Sequence, residues 1–262
     1  MGARRAAMTR MGESRPRRYA VSDVHGHLAD LRSALRRAGL VDGMDRWTGG
    51  SDELWVLGDL LDRGPDGLGV IDLLRDLQRQ APTSVHVLLG NHEALALGAH
   101  AWPQGRFGGS WLVNGGQWAD QEGLDDDRVA WLRGLPAMGR AGDWLLVHSD
   151  TVGYAGWGST VEEVNAAVTA ALASGAEDRV WDVWATLCGR YGFVGNDGED
   201  VVGSLLAAFG GDRLVHGHTI VGVLRHEPSP QVTGPLSYAG GRALAIDGGR
   251  YDGGPLLLVA LD

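Results

Sequence analysis

Five short clusters of side chains that can bind metal ions each follow an apolar stretch of the chain. Carboxylate, imidazole and amide groups bind divalent cations such as Mn²⁺, Fe and Zn²⁺. Two such cations can bind both the attacking and the leaving oxygen of a displacement at phosphorus. The residue types therefore favour hydrolysis of phosphate esters at a two-metal centre. The clusters are Asp23-Val24-His25-Gly26, Gly58-Asp59 with Asp62-Arg63-Gly64, Gly90-Asn91-His92-Glu93, His148, and Gly217-His218-Thr219.

In two of the clusters, an acidic residue lies where a strand is predicted to end. Asp23 and His25 are two residues apart, so both side chains of an extended strand end would point to one side and share a cation. The structural alternative is that Asp23 caps the next helix. Asp59 repeats the pattern on the next strand, and its two oxygens can bridge two metals, which an imidazole cannot do.

The neighbours of these ligands are suited to bind and protonate a phosphate ester. Arg63 can donate two hydrogen bonds to phosphate oxygens, although a surface ion pair with Asp62 is the alternative. Adjacent extended residues point to opposite sides, so Asn91 could bind metal while His92 delivers a proton to the substrate. For Glu93 we expect a structural role in the first turn of a helix.

Two histidines could complete the second metal site. His148 and His218 each follow a predicted strand and have Gly or small polar neighbours. A lone histidine is more often structural than a metal ligand, and the assignment of each depends on the other clusters.

The predicted elements bring the clusters to one edge of a sheet. Apolar strands over 19–22, 54–57 and 85–89 alternate with helices over 27–38 and 65–79, in a β-α-β-α-β order. In open α/β sheets, ligands bind outside the carboxyl ends of the strands. The first three clusters directly follow these strands, so we expect their side chains to lie close together.

The remainder of the chain is predicted to complete one α/β domain over 18–262. Residues 101–123 are rich in Gly and Trp and lack clear periodicity, which favours an irregular, cap-like insertion beside the site. Residues 150–200 are predicted to form a helical segment on the substrate side. It contains helices over 161–172 and 177–188. Further strands are predicted at 145–147, 214–216, 243–246 and 256–261.

Charge and composition exclude several classes of partner. The net charge of the 262 residues is −10, and residues 1–17 are expected to be a basic, disordered tail. The acidic remainder argues against binding to a nucleic acid duplex, which needs a basic face. No apolar stretch approaches the ~18 residues needed to cross a bilayer, so no membrane association is expected. The only cysteine, Cys188, excludes an internal disulfide and favours a reducing cytoplasm.

The order of the motifs resembles a known family. The series D-x-H-G, G-D-x-x-D-R-G, G-N-H-E, His and G-H-T over residues 23–218 resembles the calcineurin-like metallophosphoesterases, in their phosphoprotein phosphatase branch. Residues 245–249 are similar to that family's closing strand and turn. Residues 154–168 and Asn114-Gly115-Gly116 resemble bacterial members, including the Shewanella-like protein phosphatases.

The resemblance implies an α/β sandwich of two mixed β-sheets flanked by helices, with a dinuclear metal site at the carboxyl ends of the strands. Mn²⁺ is the expected metal, with Fe or Zn²⁺ as alternatives. A hydroxide that bridges the metals would attack phosphorus in line. By this resemblance, the first metal is held by Asp23, His25 and Asp59, and the second by Asp59, Asn91, His148 and His218.

The resemblance also implies the catalytic roles. His92 would protonate the leaving oxygen as general acid, and Asp62 would orient its ring. Arg63, with Asn91, would bind the phosphate oxygens. A second arginine is expected in the family, and Arg190 is the candidate for it.

Two positions depart from the family pattern. Many metallophosphoesterases end in G-H-x-H, but Ile220 stands two residues after His218, so His218 is aligned alone. An alternative register makes His216 and His218 the ligand pair. His148 is followed by Ser149-Asp150, where protein phosphatases often carry Gly-Gly, so the adjacent substrate wall is expected to differ.

These features predict a phosphomonoester hydrolase that acts on a phosphorylated protein or a small phosphate ester, with a protein phosphatase as the leading interpretation. The alternative is a nucleotide or dinucleoside-polyphosphate hydrolase, in which Trp102, Trp111 or Trp118 would stack on a base rather than pack in the core. A non-catalytic phosphate-binding protein is a third possibility. It would be marked by loss of a ligand or of the acid, and none is lost. The sequence carries no prediction of oligomeric state.

Overall fold

Two mixed β-sheets face each other in the computed structural model, which describes residues 15–261. The first sheet has the order β3-β2-β1-β9, in which β9 is antiparallel to β1 and the others are parallel. The second has the order β4-β5-β6-β8-β7, with β5, β6 and β8 parallel. The strands are β1 (Arg18–Val21), β2 (Glu53–Val56), β3 (Val85–Val87), β4 (Met138–Ala141), β5 (Trp144–Val147), β6 (Arg213–His216), β7 (Leu236–Tyr238), β8 (Ala243–Ala245) and β9 (Leu258–Ala260).

Helices flank the sheets and follow most of the parallel strands. The helices are α1 (Leu28–Arg37), α2 (Gly67–Gln80), α3 (Asn91–Ala101), α4 (Arg106–Val113), α5 (Trp118–Glu122), α6 (Asp126–Arg133), α7 (Val161–Leu172), α8 (Glu177–Leu187), α9 (Gly198–Phe209) and α10 (Val221–Arg225). None of the helices in the described part of the chain has the length and apolar character needed to cross a membrane.

Alternation along the strands decides which residues lie between the sheets. Side chains of a strand point to opposite faces in turn. In β5, Trp144 and Leu146 are buried between the two sheets, whereas Leu145 and Val147 join the larger core beneath the helices. Trp55 of β2 also lies between the sheets, against the backbone of Gly139, where an added Cβ would come within 2.2 Å of the indole ring.

The expected sandwich of two mixed sheets flanked by helices is confirmed. The predicted β-α-β-α-β order of the first half is also present, with shorter bounds for several elements. The start of α2 differs from the predicted start at residue 65, because the helix begins at Gly67. Asp66 precedes it, and its side chain accepts from Gly69 N (2.8 Å). The sequence did not predict β4, β7, α6, α9 or α10.

The secondary structure of residues 101–123 differs from the prediction of an irregular segment. Two short helices, α4 and α5, lie in this range. Their glycines lower the apparent helical periodicity, but Phe107 and Trp111 are buried by contacts with the rest of the protein. Tertiary packing therefore stabilises helices that local propensity does not favour.

The predicted basic tail lies mostly outside the described residues. At its end, Arg17 donates hydrogen bonds to Asp52 from its backbone N (2.9 Å) and from its guanidinium (2.8 and 3.0 Å). Arg17, the last residue of the predicted tail, is therefore bonded to the rest of the domain.

Trp55→Ala should lower the free energy of unfolding by about 3–5 kcal/mol, because it opens a cavity between the two sheets. Urea unfolding followed by circular dichroism measures this loss. Met44→Ala is the control, since Met44 is 75% exposed and its removal should change stability by less than about 0.5 kcal/mol. A loss below about 1 kcal/mol for Trp55→Ala would contradict this account of the sheet packing.

Candidate metal centre and active site

The carboxyl ends of six parallel strands meet between the two sheets. The loops after β1, β2 and β3 carry Asp23, Asp59 and Asn91, and those after β5 and β6 carry His148 and His218. All five side chains are at least 96% buried. The structure therefore brings together residues that are up to 195 positions apart in the chain, as the backbone N of His218 donates to Asp23 Oδ2 (2.8 Å).

The loops that present these residues have an unusual backbone. Of the described residues, ten that are not glycine have a positive φ, and six of them are predicted site residues. Side chains disfavour this region, so such residues cluster where the surrounding structure compensates the strain. The six are Asp23, His25, Asp59, Asp62, Arg63 and His218.

Hydrogen bonds between the first two loops compensate for this strain. His25 N donates to Asp59 O and Gly26 N donates to Leu60 O, both at 2.8 Å. Gly58 has φ +94°, and a Cβ there would lie 2.4 Å from the backbone N of Gly90. Only glycine lets the second and third loops approach so closely.

Two geometric assumptions made from the sequence are wrong. Asp23 and His25 do not continue β1 as extended residues, because both adopt the left-handed conformation. Asn91 and His92 are not extended either, since they are the first two residues of α3. The side chains nevertheless reach the centre, because the turn and the helix start direct them there.

Asp59 lies at the middle of the potential metal ligands. Its Oδ2 lies 3.6 Å from His25 Nε2, and its Oδ1 lies 3.5 Å from His148 Nε2. Two groups of donor atoms are close enough to surround a cation, and both include Asp59. They are Asp23, Asp59, His148 and His218, and His25, Asp59 and His92.

These two groups share several members with the ligand sets implied by the family resemblance, but they are not identical to them. Asp23 lies with His148 and His218, and not only with His25. Asn91 Oδ1 lies 3.0 Å from His148 Nε2, so the amide lies beside the group that contains His148 and His218. The predicted ligands thus surround one compact volume around Asp59.

The imidazole rings are oriented for metal binding through Nε2. The Nδ1 of His25 bonds to Leu61 O (2.9 Å), and that of His148 bonds to Leu57 O (2.8 Å). A hydrogen bond from Nδ1 to a carbonyl fixes the ring and leaves Nε2 as the ligand. The Nε2 of His218 is buried without a hydrogen-bond partner, which is costly unless it binds a ligand.

The electrostatics of the centre also fit cations. Burial, followed by the nearby Asp23 carboxylate, raises the pKa of Asp59 well above its usual range. Burial, followed by repulsion from His148, lowers the pKa of His218 well below its usual range. Neutral imidazoles and buried, mutually repelling carboxylates are what divalent cations bind and stabilise in their unprotonated forms. The donors present therefore fit a dinuclear divalent metal site.

Glu93 holds three backbone segments of the site together. Its carboxylate accepts hydrogen bonds from Asp59 N (2.8 Å), Leu60 N (2.7 Å) and Gly90 N (2.9 Å). Burial, together with Asp59, raises its pKa to about 7. The expected structural role is present, but it extends beyond the helix terminus to the loop that carries Asp59.

His92 and Asp62 form a buried pair at the predicted acid. His92 Nδ1 lies 2.8 Å from Asp62 Oδ2, and both side chains are fully buried. Burial raises the pKa of Asp62 to about 6, although its hydrogen bond from Trp111 opposes this. Burial, followed by Arg63, lowers the pKa of His92 well below its usual range. The Nε2 of His92 is buried and has no hydrogen-bond partner in the protein.

Two arginines lie at the mouth of the centre. Arg63 Nη1 is 3.2 Å from His25 Nε2, and its guanidinium lies 4.1 Å from the ring centroid of Tyr251. Arg190 donates a short hydrogen bond to the carbonyl oxygen of His218. The exposed Arg190 therefore lies beside the candidate metal ligands, as the sequence assignment requires.

Asp150, which with Ser149 replaces the Gly-Gly that often follows this histidine in protein phosphatases, has a structural role. It is fully buried, and its Oδ2 accepts from Tyr191 N (2.8 Å). Its Oδ1 accepts from the hydroxyl of Thr219. Asp150 thus joins the segment that carries Arg190 to the loop that carries His218.

The alternative register with His216 as a ligand is not favoured by the geometry. His216 Nδ1 lies 2.9 Å from Gly217 O, and its Nε2 lies 2.7 Å from the hydroxyl of Tyr238. Both ring nitrogens are therefore occupied within the protein.

The three tryptophans considered for base stacking have different environments. Trp111 is 2% exposed, and its Nε1 donates to Asp62 Oδ1 (2.9 Å). Trp102 is half-buried and stacks on Phe107, at 5.9 Å between centroids. Trp118 is 63% exposed, and its ring contacts that of Trp111 at 5.1 Å between centroids.

Sequence reasoning missed two residues at the site and one contact between predicted residues. Asp247 is buried with one carboxylate oxygen unpaired, and Tyr251 packs on Arg63. Asp247 follows β8 and precedes two glycines, and Asp59 likewise follows a strand and lies next to a glycine, so the position of Asp247 was a signal that could have identified it. Tyr251 and the Trp111–Asp62 contact have no local signal, because they depend on packing between distant segments.

The sequence model of the calcineurin-like phosphoesterase family matches residues 16–222. Among curated proteins, the chain is 42% identical over 86 residues to Shewanella-like protein phosphatase 2 of Arabidopsis thaliana, covering 32% of this chain and 22% of that protein. It is 39% identical over 128 residues to serine/threonine-protein phosphatase 1 of Salmonella typhimurium, covering 49% and 51%. It is 32% identical over 132 residues to a symmetrical bis(5'-nucleosyl)-tetraphosphatase of Aromatoleum aromaticum, covering 50% and 43%. The matches thus span about half of these relatives or less.

Solved structures with the same fold include two phosphatases. The cold-active protein-tyrosine phosphatase of a psychrophilic Shewanella species superposes with a TM-score of 0.71 at 24% identity, covering 94% of this chain and 75% of that chain. A serine/threonine phosphatase of Saccharomyces cerevisiae gives 0.55 at 15% identity, covering 88% and 67%. At these identities the similarity supports the fold alone.

His218→Gln should reduce the metal content of protein reconstituted with Mn²⁺ by at least one of the two expected ions, because it removes a buried Nε2 ligand. His216→Gln is the matched control, since it changes an equally buried histidine two residues away whose nitrogens are already bonded. Elemental analysis of the dialysed proteins measures the ratio of metal to chain. Metal loss in both His216→Gln and His218→Gln would support the alternative register, and unchanged metal content in His218→Gln would contradict the assignment of His218 as a ligand.

Proposed function

Because the chain belongs to the calcineurin-like phosphoesterase family, we propose that it is a metal-dependent phosphomonoester hydrolase. The main support is the coexistence of a complete ligand cluster around Asp59 with a buried His92–Asp62 pair whose free nitrogen faces no protein partner. A protein that only bound phosphate would not need this pair.

The proposed metal ligands are Asp23, His25, Asp59, Asn91, His148 and His218. Two bound divalent cations would supply an activated water and neutralise charge on the phosphoryl oxygens. We propose Mn²⁺ as the metal, with Fe or Zn²⁺ as alternatives that the same ligand types accept.

The other site residues act on the substrate. Arg63 and Arg190, with the amide of Asn91, bind the phosphoryl oxygens and hold phosphorus in line with the nucleophile. As the bond between phosphorus and the leaving oxygen breaks, Nε2 of His92 gives its proton to that oxygen. The anionic phosphate and Asp62 favour the protonated ring, which offsets the effect of burial on its pKa.

We propose a phosphorylated protein as the substrate. Two of the relatives described above are named as protein phosphatases. Residues 101–123 and 150–200 would form the substrate walls, because they contribute Trp111 behind Asp62 and Arg190 beside His218.

A nucleotide or dinucleoside-polyphosphate hydrolase is the second candidate. It is favoured by the relative named as a bis(5'-nucleosyl)-tetraphosphatase and by the exposed ring of Trp118. The metal centre would serve either reaction, so the difference lies in what binds beyond the phosphate.

We further propose that this bacterial-type enzyme works in a reducing cytoplasm without a membrane or a nucleic acid duplex as partner. The single cysteine, Cys188, has no other cysteine to pair with, which supports a reducing compartment. The acidic overall charge argues against binding to a nucleic acid duplex.

His92→Asn should retain bound metal but lower kcat on a phosphoserine peptide by about 10²–10⁴-fold, because the leaving oxygen no longer receives a proton. Steady-state kinetics and elemental analysis on the same sample measure both. His100→Asn is the control on the same helix, since His100 is exposed and should leave kcat unchanged. An unchanged rate for His92→Asn would remove His92 from its proposed role. Stoichiometric metal without turnover of any phosphate ester by the unmodified protein would support a non-catalytic function.

The kcat/KM for a phosphoserine peptide should exceed that for diadenosine tetraphosphate if the first substrate proposal is right. Trp118→Ala should leave kcat/KM for the peptide within about threefold of the wild-type value. It should raise KM for the dinucleotide if the Trp118 ring stacks on a base, since such stacking contributes about 1–3 kcal/mol. The opposite preference between the two substrates would replace the protein phosphatase proposal with the nucleotide hydrolase.

A further inference from the structure

A chain of hydrogen bonds runs from α4 to the proposed general acid. Trp111 Nε1 donates to Asp62 Oδ1 (2.9 Å), and Asp62 Oδ2 lies 2.8 Å from His92 Nδ1. We propose that Trp111 is a positioning residue, which sets the orientation of Asp62 and thereby directs Nε2 of His92 at the leaving oxygen. This inference rests on the proposed phosphomonoester hydrolase function.

The indole N–H is well placed to control the carboxylate. Asp62 is fully buried, so each of its oxygens needs a partner inside the protein. Oδ2 is used by His92, and Oδ1 has only Trp111 and the weaker bond from Gln117 N, at 3.3 Å. Without the indole N–H, Asp62 could rotate toward other donors, and His92 would lose a partner that fixes its tautomer and ring plane.

The bond to Asp62 also fixes the tryptophan itself. One face of the indole lies against Gly116, where a Cβ would come within 2.1 Å of the ring. The ring also packs against Trp118 in a T-shaped arrangement, at 5.1 Å between centroids. A cavity of about 470 Å³ adjoins the ring on the side of α3 and α4. Packing alone therefore leaves space beside the ring, and the hydrogen bond selects its position.

The same segment supports the neighbouring phosphate-binding residue. Gly115 O accepts from Arg63 N (2.9 Å), and Asn114 O accepts from Arg63 Nε (3.3 Å). Asp120 Oδ2 accepts from Asp62 N (3.1 Å). Residues 111–120 thus contact both Asp62 and Arg63. Within this segment, Trp111 is the residue whose side chain bonds to the Asp62 carboxylate.

Leaving-group dependence separates this role from general support of the fold. An alkoxide leaving group needs a proton in the transition state, whereas p-nitrophenolate leaves readily as an anion. Trp111→Phe should therefore lower kcat on a phosphoserine peptide by about 10–100-fold. It should lower kcat on p-nitrophenyl phosphate by less than about threefold, with metal content and KM for both substrates retained.

Trp131→Phe is the matched control, because it removes an indole hydrogen bond of similar length, to Gln78 Oε1 (2.8 Å), far along the chain in α6. It should leave both rates unchanged. In a His92→Asn background, Trp111→Phe should cause no further loss on the peptide, because residues that act through one group are not additive.

A shape-matched replacement keeps the test informative if Trp111→Phe is poorly folded. β-(3-Benzothienyl)alanine at position 111 retains the bicyclic ring and lacks only the N–H, so it should reproduce the selective loss. Equal fractional losses on the two substrates, no loss on either, or an undiminished loss in the His92→Asn background would overturn the inference. Those results require a wild-type protein that hydrolyses phosphate esters, whereas an inactive wild type would refute the proposed function itself.

Discussion

The site depends on how the buried carboxylate of Asp59 is stabilised. Its Oδ1 accepts from the backbone N of His92, its own N donates to Glu93, and its carbonyl accepts from His25 N. These bonds tie the loops after β1, β2 and β3 together around one negative charge. A carboxylate buried to this degree is unfavourable unless it is paired or bound to a cation. The same feature that makes the loops hold one geometry therefore makes the centre suitable for metal ions.

Contacts from many parts of the fold compensate the backbone strain of the site. Residues in the left-handed region cost of order 1–3 kcal/mol each, and six of the predicted site residues adopt it. The strands beneath them are short but buried on both faces, between the opposite sheet and the helices. Segments from later in the chain then contact these loops, through Trp111 of α4 and through Asp150 and Arg190 outside the helices. The rigid strands and these contacts together hold loops that would not keep this conformation alone.

Much of the first half of the fold and most of the candidate ligands could be predicted from sequence. The alternation of apolar strands with amphipathic helices placed Asp23, Asp59 and Asn91 at strand ends, and the structure brings all three to one centre. The local conformation could not be predicted, because Asp23 and His25 are turned by hydrogen bonds to the loop after β2, and not by their own strand. The helices of residues 101–123 escaped prediction for a related reason, since their stability comes from burial of Phe107 and Trp111.

Residue types, their order and their spacing were sufficient to indicate a family, a reaction class and a set of metal-binding side chains. This is possible because strand periodicity and turn-forming glycines are local properties of the chain. Contacts between distant segments required the folded structure. They include the bond of His216 to Tyr238, the position of Arg190, and the hydrogen bond from Trp111 to Asp62. The physical reason is that burial and hydrogen-bond partners are set by packing between elements, which no local pattern encodes.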